Sequence, residues 1–256
     1  MTELEELRRE INECDREIVQ VMIRRLAAVQ AVGEYKKLNK LGVYQPEREQ
    51  AIIERIANMV ADGKKTAKIV ELYNFIMKQS RNIQMQQCIN DNIVLTGFMA
   101  CGKTTVGKEL SEITGYSFID TDGEIERLQQ KKIEAIFIEQ GEAAFRKYER
   151  AVVKQLSARR QCIIACGGGL VLDDSNVCVL RNNGKLVWLK LGLTEVMRRL
   201  KMSGGRPLAD GIEATELVQL NNLRLEKYKK AADITIDVDG KSVSEICAEI
   251  LKKCMR

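Results

Sequence analysis

The sequence predicts a multidomain chain: an all-α helical domain followed by an α/β phosphate-loop domain with a parallel sheet, divided at residues 1–87 and 88–256. Three observations predict it. Residues 3 to about 84 carry only the helical period of apolar positions. From Asn92 onward, short β-branched runs alternate with helical stretches, the pattern of a doubly wound sheet. Between the first such run and the next helix stands Gly97-Phe98-Met99-Ala100-Cys101-Gly102-Lys103-Thr104, which fits G-x-x-x-x-G-K-[ST].

Composition narrows the function. At 256 residues, 45% apolar and 30% charged, the chain can bury two cores. No apolar run approaches the roughly 20 residues that span a bilayer. The acidic start Met-Thr-Glu-Leu-Glu-Glu is unlike a secretory signal. A cytoplasmic protein without a membrane partner is expected. The eight cysteines form no C-x-x-C pair and there is no histidine, which argues against zinc, disulfides and any imidazole base. A net charge of +5 without a basic stripe suits small anions better than nucleic acid.

The first helix is expected over residues 3 to about 38, with Leu4, Leu7, Ile11, Cys14, Ile18, Val21 or Met22, Leu26, Val29 and Val32 in its stripe. Such a helix, roughly 50 Å long, needs other helices or another chain to cover it. Gly42 ends the segment and Pro46 opens a second helix that runs to about Val60. A third is expected from about Lys65 to Gln84, with Ile69, Leu72, Tyr73, Ile76 and Met77 on its packed face. Gln84 to Asp91 reads as the junction. Arg25 and Lys36, eleven apart, share a face of the first helix, and Ser80 and Gln84 share one of the third. Taken singly, each is more readily a solvated helix charge.

As an ordered set, Leu7-Arg8-Arg9-Glu10-Ile11, Arg25, Val32-Gly33-Glu34-Tyr35-Lys36, Pro46-Glu47-Arg48-Glu49, Ser80 and Gln84 resemble the all-helical chorismate mutase family over residues 3 to 87. The resemblance implies that Arg8 and Arg25 hold the carboxylates of chorismate, and that Lys36 and Gln84 face the ether oxygen of the breaking bond. Glu49 would take a substrate hydroxyl, with Arg48 and Ser80 lining the site. A Claisen rearrangement needs a compact conformer and donors aimed at the developing charge, with no nucleophile or metal. Arg8 and Arg25 lie about 25 Å apart along one helix, so Arg8 is expected to serve a partner's site in a swapped homodimer. Gln45 departs from the family, which often has Asp there.

In the second part, strands are expected at 92–97, 116–120, 161–166, 185–191 and 233–237. In a phosphate loop, Gly97, Ala100, Cys101, Gly102, Lys103, Thr104 and Thr105 surround the phosphates of ATP. Lys103 reaches the β/γ-phosphates and the Thr104 hydroxyl ligates Mg²⁺. Asp120-Thr121-Asp122 ends the second strand, Phe145-Arg146-Lys147-Tyr148-Glu149 lies on a helix, Gly167-Gly168-Gly169 follows the third strand, and Arg206-Pro207-Leu208 lies in a candidate lid.

This ordered set resembles shikimate kinase over residues 92 to 254. The resemblance implies a P-loop kinase domain that phosphorylates the shikimate 3-hydroxyl. Arg146 and Arg224 would clamp the carboxylate, Asp122 would take ring hydroxyls and act as general base, and Gly168 and Gly169 would meet the substrate through backbone. Asp120 would sit near Mg²⁺, Arg199 near the nucleotide and Arg206 near the transferring phosphate. Glu226 and Cys101 depart from the family pattern. Cys101, at a helix N-terminus beside Lys103, is expected to be a reactive thiol whose modification blocks ATP.

The leading expectation is a bifunctional enzyme of aromatic amino-acid biosynthesis. An alternative keeps the kinase and makes the helical part a non-catalytic dimerisation module that senses chorismate or prephenate. A third, a kinase for another polyol acid such as gluconate, is opposed by Arg146, Arg224 and the glycine triplet.

Overall fold

The computed structural model describes residues 2–60, 62–203 and 214–255. These form two compact units that part between Ile89 and Asn90.

The first unit is three helices, α1 (Glu3–Leu38), α2 (Pro46–Met59) and α3 (Gly63–Cys88). Thr2 and Glu5 form a reciprocal capping box at the start of α1, and Asp62 caps α3 through the Lys64 N–H. Pro46 occupies the first turn of α2, where its missing N–H costs no helical bond. α3 continues past Gln84 to Cys88, so the irregular junction shrinks to the residues after Cys88. The run Met85-Gln86-Gln87 is made of good helix formers and Met85 is buried, which carries the helix on.

Burial in this unit is confined. α1 and α2 both pack on α3, and Val29, Gly33, Ile56 and Ser80 are buried. Residues 3–21 of α1 are exposed throughout. Of the stripe expected on α1, only Val29 is buried; Leu4, Leu7, Ile11 and Ile18 stand 53–59% exposed. Leu72, expected on the packed face of α3, is likewise 63% exposed beside an exposed Phe75. The physical reason is geometric: two shorter helices cannot cover a 36-residue one, about 54 Å long.

The second unit runs β1 (Asn92–Thr96), α4 (Lys103–Thr114), β2 (Ser117–Asp120), α5 (Thr121–Gln129), α6 (Ile133–Leu156), β3 (Cys162–Ala165), a 3-10 turn at Leu170–Leu172, α7 (Asp174–Arg181), β4 (Gly184–Lys190), α8 (Leu193–Ser203), α9 (Ala214–Ala231), β5 (Ile234–Asp237) and α10 (Val243–Cys254). Each strand falls within one residue of its expected ends. The sheet order is β2-β3-β1-β4-β5 and every pairing is parallel. β1 is buried along its whole length, which is why it reads as a continuous apolar run.

The topology positions the site. β1 lies between β3 and β4, so successive connections leave it in opposite directions. A crevice opens at such a reversal, outside the carboxyl ends of the strands. Register aligns Leu95 with Ala165, and Asp120 with Ala165 on the other side. The loops after β1, β2 and β3 therefore start from one edge.

Candidate active sites

The loop after β1 crosses back over the sheet before α4 begins at Lys103. Gly97 has φ 143°, and a Cβ there would lie 2.6 Å from the Leu189 carbonyl oxygen. Only glycine fits. The Lys103 ammonium donates to the carbonyls of Gly97 and Phe98, both at 2.9 Å, and so lies across the loop. The Thr104 hydroxyl donates to Asp120 Oδ2 at 3.0 Å. The other oxygen of Asp120 caps α5 by accepting from the Asp122 and Gly123 N–H groups.

A cavity of about 430 Å³ opens here. It is lined by Ala100, Gly102, Lys103, Thr104 and Thr105 from the loop and α4, and by Asp120 and Asp122 from β2 and α5. Arg146, Gly168, Gly169 and Arg224 line it as well. Gly97 and the buried Cys101, though part of the loop, lie outside this lining. Arg199 also lies outside it: its guanidinium donates to the Ala100 carbonyl at 3.2 Å and to Glu195. Arg206 lies outside the described residues.

Two lining atoms lack a hydrogen-bond partner. Asp122 Oδ1 and Arg224 Nε are both buried without a hydrogen bond. A bare carboxylate oxygen suits a hydroxyl donor, and a bare guanidinium N–H suits a carboxylate. Asp122 lies against the glycine triplet, where a Cβ on Gly167 would come within 2.3 Å of its Oδ1. Burial, then the nearby Asp120 and Glu149 carboxylates, push Asp122 up to about 6.

Two further side chains hold these groups in place: Glu149, one turn from Arg146 as their spacing leads one to expect, and Tyr228. Glu149, buried, accepts from Arg146 at 2.6 Å, and burial raises its carboxyl above the usual range. The Tyr228 hydroxyl donates to the Gly168 carbonyl at 2.6 Å while its ring stacks on Trp188. Arg224, one turn earlier on α9, reaches the same carbonyl at 3.4 Å. The spacing Arg224-x-x-x-Tyr228 was a visible signal that both face the triplet.

The oxygen pair of Thr104 and Asp120 fits Mg²⁺. Among the described residues no cluster of three or more His, Cys, Asp or Glu could cage a metal. Mg²⁺ does not need one, because it keeps waters and takes phosphate oxygens beside one or two protein ligands.

Cys101 corrects an expectation. It is 1% exposed, and its Sγ would lie 2.9 Å from a Cβ on Gly97, so the thiol is packed beneath the loop rather than open to reagents. Cys14 and Cys178 are the exposed thiols. Limited alkylation of the native chain, read by peptide mass spectrometry, is expected to label Cys14 and Cys178 first. Kinase activity should survive that labelling; early labelling of Cys101 would show that the loop opens.

In the helical unit, a cavity of about 230 Å³ lies between the three helices. Arg25, Lys36, Arg48, Glu49, Ser80 and Gln84 all line it, together with Gln45. Arg25 donates to Ser80 Oγ at 2.5 Å, and Lys36 to the Val43 carbonyl at 3.1 Å. Burial, and then the Arg48 charge, lower the Lys36 ammonium below its ordinary value. Gln84 Oε1 is buried without a partner. Arg8, on the exposed part of α1, does not reach this cavity. Arg81, not foreseen, lines it and pairs with Glu49.

The shikimate kinase family profile matches residues 99–255, and the profile of chorismate mutase type II matches residues 7–85. A shikimate kinase of Moorella thermoacetica is 42% identical over 159 residues, covering 62% of this chain and 91% of that protein. One from Persephonella marina is 40% identical, covering 62% and 96%. Among solved structures, shikimate kinase from Acinetobacter baumannii in complex with shikimate superposes with a TM-score of 0.60 at 33% identity, covering 64% of this chain and 92% of that one.

Proposed function

The chain belongs to the shikimate kinase family and carries a type II chorismate mutase domain ahead of the kinase, and from this we propose how its residues divide the work. It is a bifunctional enzyme of aromatic amino-acid biosynthesis: it phosphorylates shikimate with ATP and rearranges chorismate to prephenate. The functional division lies near residue 88. A cytoplasmic location suits both reactions, and no helix among the described residues is long and apolar enough to cross a membrane.

The observation that carries the kinase assignment is the pair of unmet groups in the larger cavity, Asp122 Oδ1 and Arg224 Nε. Arg224 and Arg146 receive the shikimate carboxylate, Arg146 being aimed by its bond to Glu149. Asp122 accepts a ring hydroxyl and takes its proton as the oxygen attacks. The loop N–H groups, Lys103 and Thr105 hold the phosphates, with Arg199 bracing the loop through the Ala100 carbonyl. Thr104 and Asp120 hold Mg²⁺, which supplies charge neutralisation on the phosphates. Arg206 contributes a further cation to the transferring group.

In the smaller cavity Arg25 binds one carboxylate and Arg8 of a second copy the other, while Arg48 and Ser80 complete the wall. Lys36 and Gln84 meet the ether oxygen as charge grows there. Their convergence in one cavity supports turnover over mere sensing. The exposed apolar face of α1 supports a homodimer through the helical unit. The decisive assay supplies the purified chain with chorismate alone, then with shikimate and Mg·ATP. Failure of either reaction in a folded sample removes that half of the assignment.

Asp122 gives this reading a pH signature. A base must be ionised to work, and burial pushes the Asp122 carboxyl up to about 6. The kcat/KM for shikimate should therefore fall as pH drops through about 6, since this ratio reports free-enzyme groups. Asp122→Asn should remove most activity and, in what remains, that limb. A wild-type limb in the ordinary carboxylate range, near pH 4, would place the base elsewhere.

A further inference from the structure

The mutase cavity contains one cation that its proposed chemistry does not use. Arg25, Lys36, Arg48 and Arg81 line it, against Glu49 as its lone carboxylate. Arg81, on α3, donates through Nη1 to Glu49 Oε2, on α2. Its side chain is 13% exposed and that of Glu49 23%. The Arg81 guanidinium also lies over the Tyr44 ring, 5.3 Å from the centroid. Three constraints thus fix the arginine: a charge-assisted bond, a cation–π contact and burial of its stem.

Gln45 lines the same cavity and carries no charge. Recognition of a ligand hydroxyl by an ionised acceptor therefore rests on Glu49 alone. A carboxylate among four cations has competing partners, Arg48 next to it in sequence and Lys36 across the cavity. Either would draw it away from a neutral hydroxyl, because charged partners outbid neutral ones. Arg81 resolves this competition: it takes one oxygen, and no other protein donor bonds Glu49 among the described contacts. The second oxygen remains to accept.

We propose that Arg81 is a positioning residue for the hydroxyl end of the mutase site, holding Glu49 so that one carboxylate oxygen reads the substrate hydroxyl and leaving Arg25 for a carboxylate and Lys36 for the ether oxygen. The inference rests on the mutase reading of this cavity. It also gives Gln45 a consequence: with no second acid beside it, Glu49 depends on Arg81 for its aim.

The test uses the full chain and two probes, a bicyclic dicarboxylate mimic of the compact conformer in hydroxyl-bearing and deoxy forms. In the wild type the hydroxyl should improve binding by about tenfold or more, the range for a hydrogen bond to a charged group. In Arg81→Met, which keeps length and apolar stem, that advantage should shrink to about threefold or less, while affinity for the deoxy probe stays within about threefold. The KM for chorismate should rise about tenfold with kcat little changed, and Arg81→Lys should restore part of the loss. The double variant Glu49→Gln/Arg81→Met should bind the hydroxyl-bearing probe no worse than Glu49→Gln alone. Equal weakening of both probes in Arg81→Met would mean that Arg81 only holds α2 to α3, and would overturn the proposal; so would an unchanged hydroxyl advantage. A wild-type chain that binds neither probe and leaves chorismate intact would overturn the mutase reading itself, and this proposal with it.

Discussion

Lys103→Ala and Arg146→Ala should each abolish shikimate phosphorylation and leave chorismate rearrangement nearly intact. Lys103 spans the loop from two carbonyls and faces the larger cavity, so its charge is in place before any phosphate arrives. Removing one preorganised donor from a charge-developing site costs roughly 10²–10³-fold in rate. Arg146 contributes differently, through a carboxylate contact aimed by Glu149. Its loss also strands a buried carboxylate, which by itself destabilises the unit. The double variant Arg146→Ala/Glu149→Gln removes that charge and should regain stability without regaining phosphorylation. Mutase activity should stay within about twofold in all three, as expected for sites with no shared partners. Loss of chorismate turnover in a folded Lys103→Ala chain would show that the two activities are not independent.

How much of this was legible in the sequence depends on what each signal encodes. The phosphate loop could be read because its glycines answer a local backbone demand, as the φ of 143° at Gly97 and its crowding by the Leu189 carbonyl illustrate. The strands could be read because a parallel sheet buries both faces and leaves continuous apolar runs such as Ile93-Val94-Leu95. The path of the sheet could not. Whether β1 lies beside β3 or β2 depends on contacts distant in the chain, which periodicity does not carry. The Arg81–Glu49 pair was hidden for the same reason: the residues are 32 apart and on different helices. Cys101 was misread because sequence placed it at a helix start and could not show which way its side chain turns. The stripe on α1 was read correctly as apolar, but α2 and α3 leave most of it exposed.

That uncovered stripe leads to the complementation expected of Arg8→Ala and Arg25→Ala. Arg25 lines the mutase cavity and Arg8 lies about 25 Å away on the same helix, in a stretch whose residues are all exposed. One small dicarboxylate cannot touch both within one chain. If the exposed halves of α1 pair across a two-fold axis, each site takes Arg8 from one copy and Arg25, Lys36 and Gln84 from the other. Each single variant then loses a charge-assisted contact at every site, worth roughly 1.5–3 kcal/mol, or more than tenfold in rate. Unfolded and refolded together in equal amounts, the two variants form heterodimers in about half of all pairings. In each heterodimer one site carries both lesions and the other carries neither. About one site in four is therefore intact, and mixing should raise mutase activity from near zero to about a quarter of wild type. Shikimate phosphorylation, carried by the other unit, should stay constant through the mixing series and reports refolding yield. If heterodimers are present by mass and the mixture is no more active than its parents, both arginines serve the same chain and the two-fold pairing through α1 is wrong.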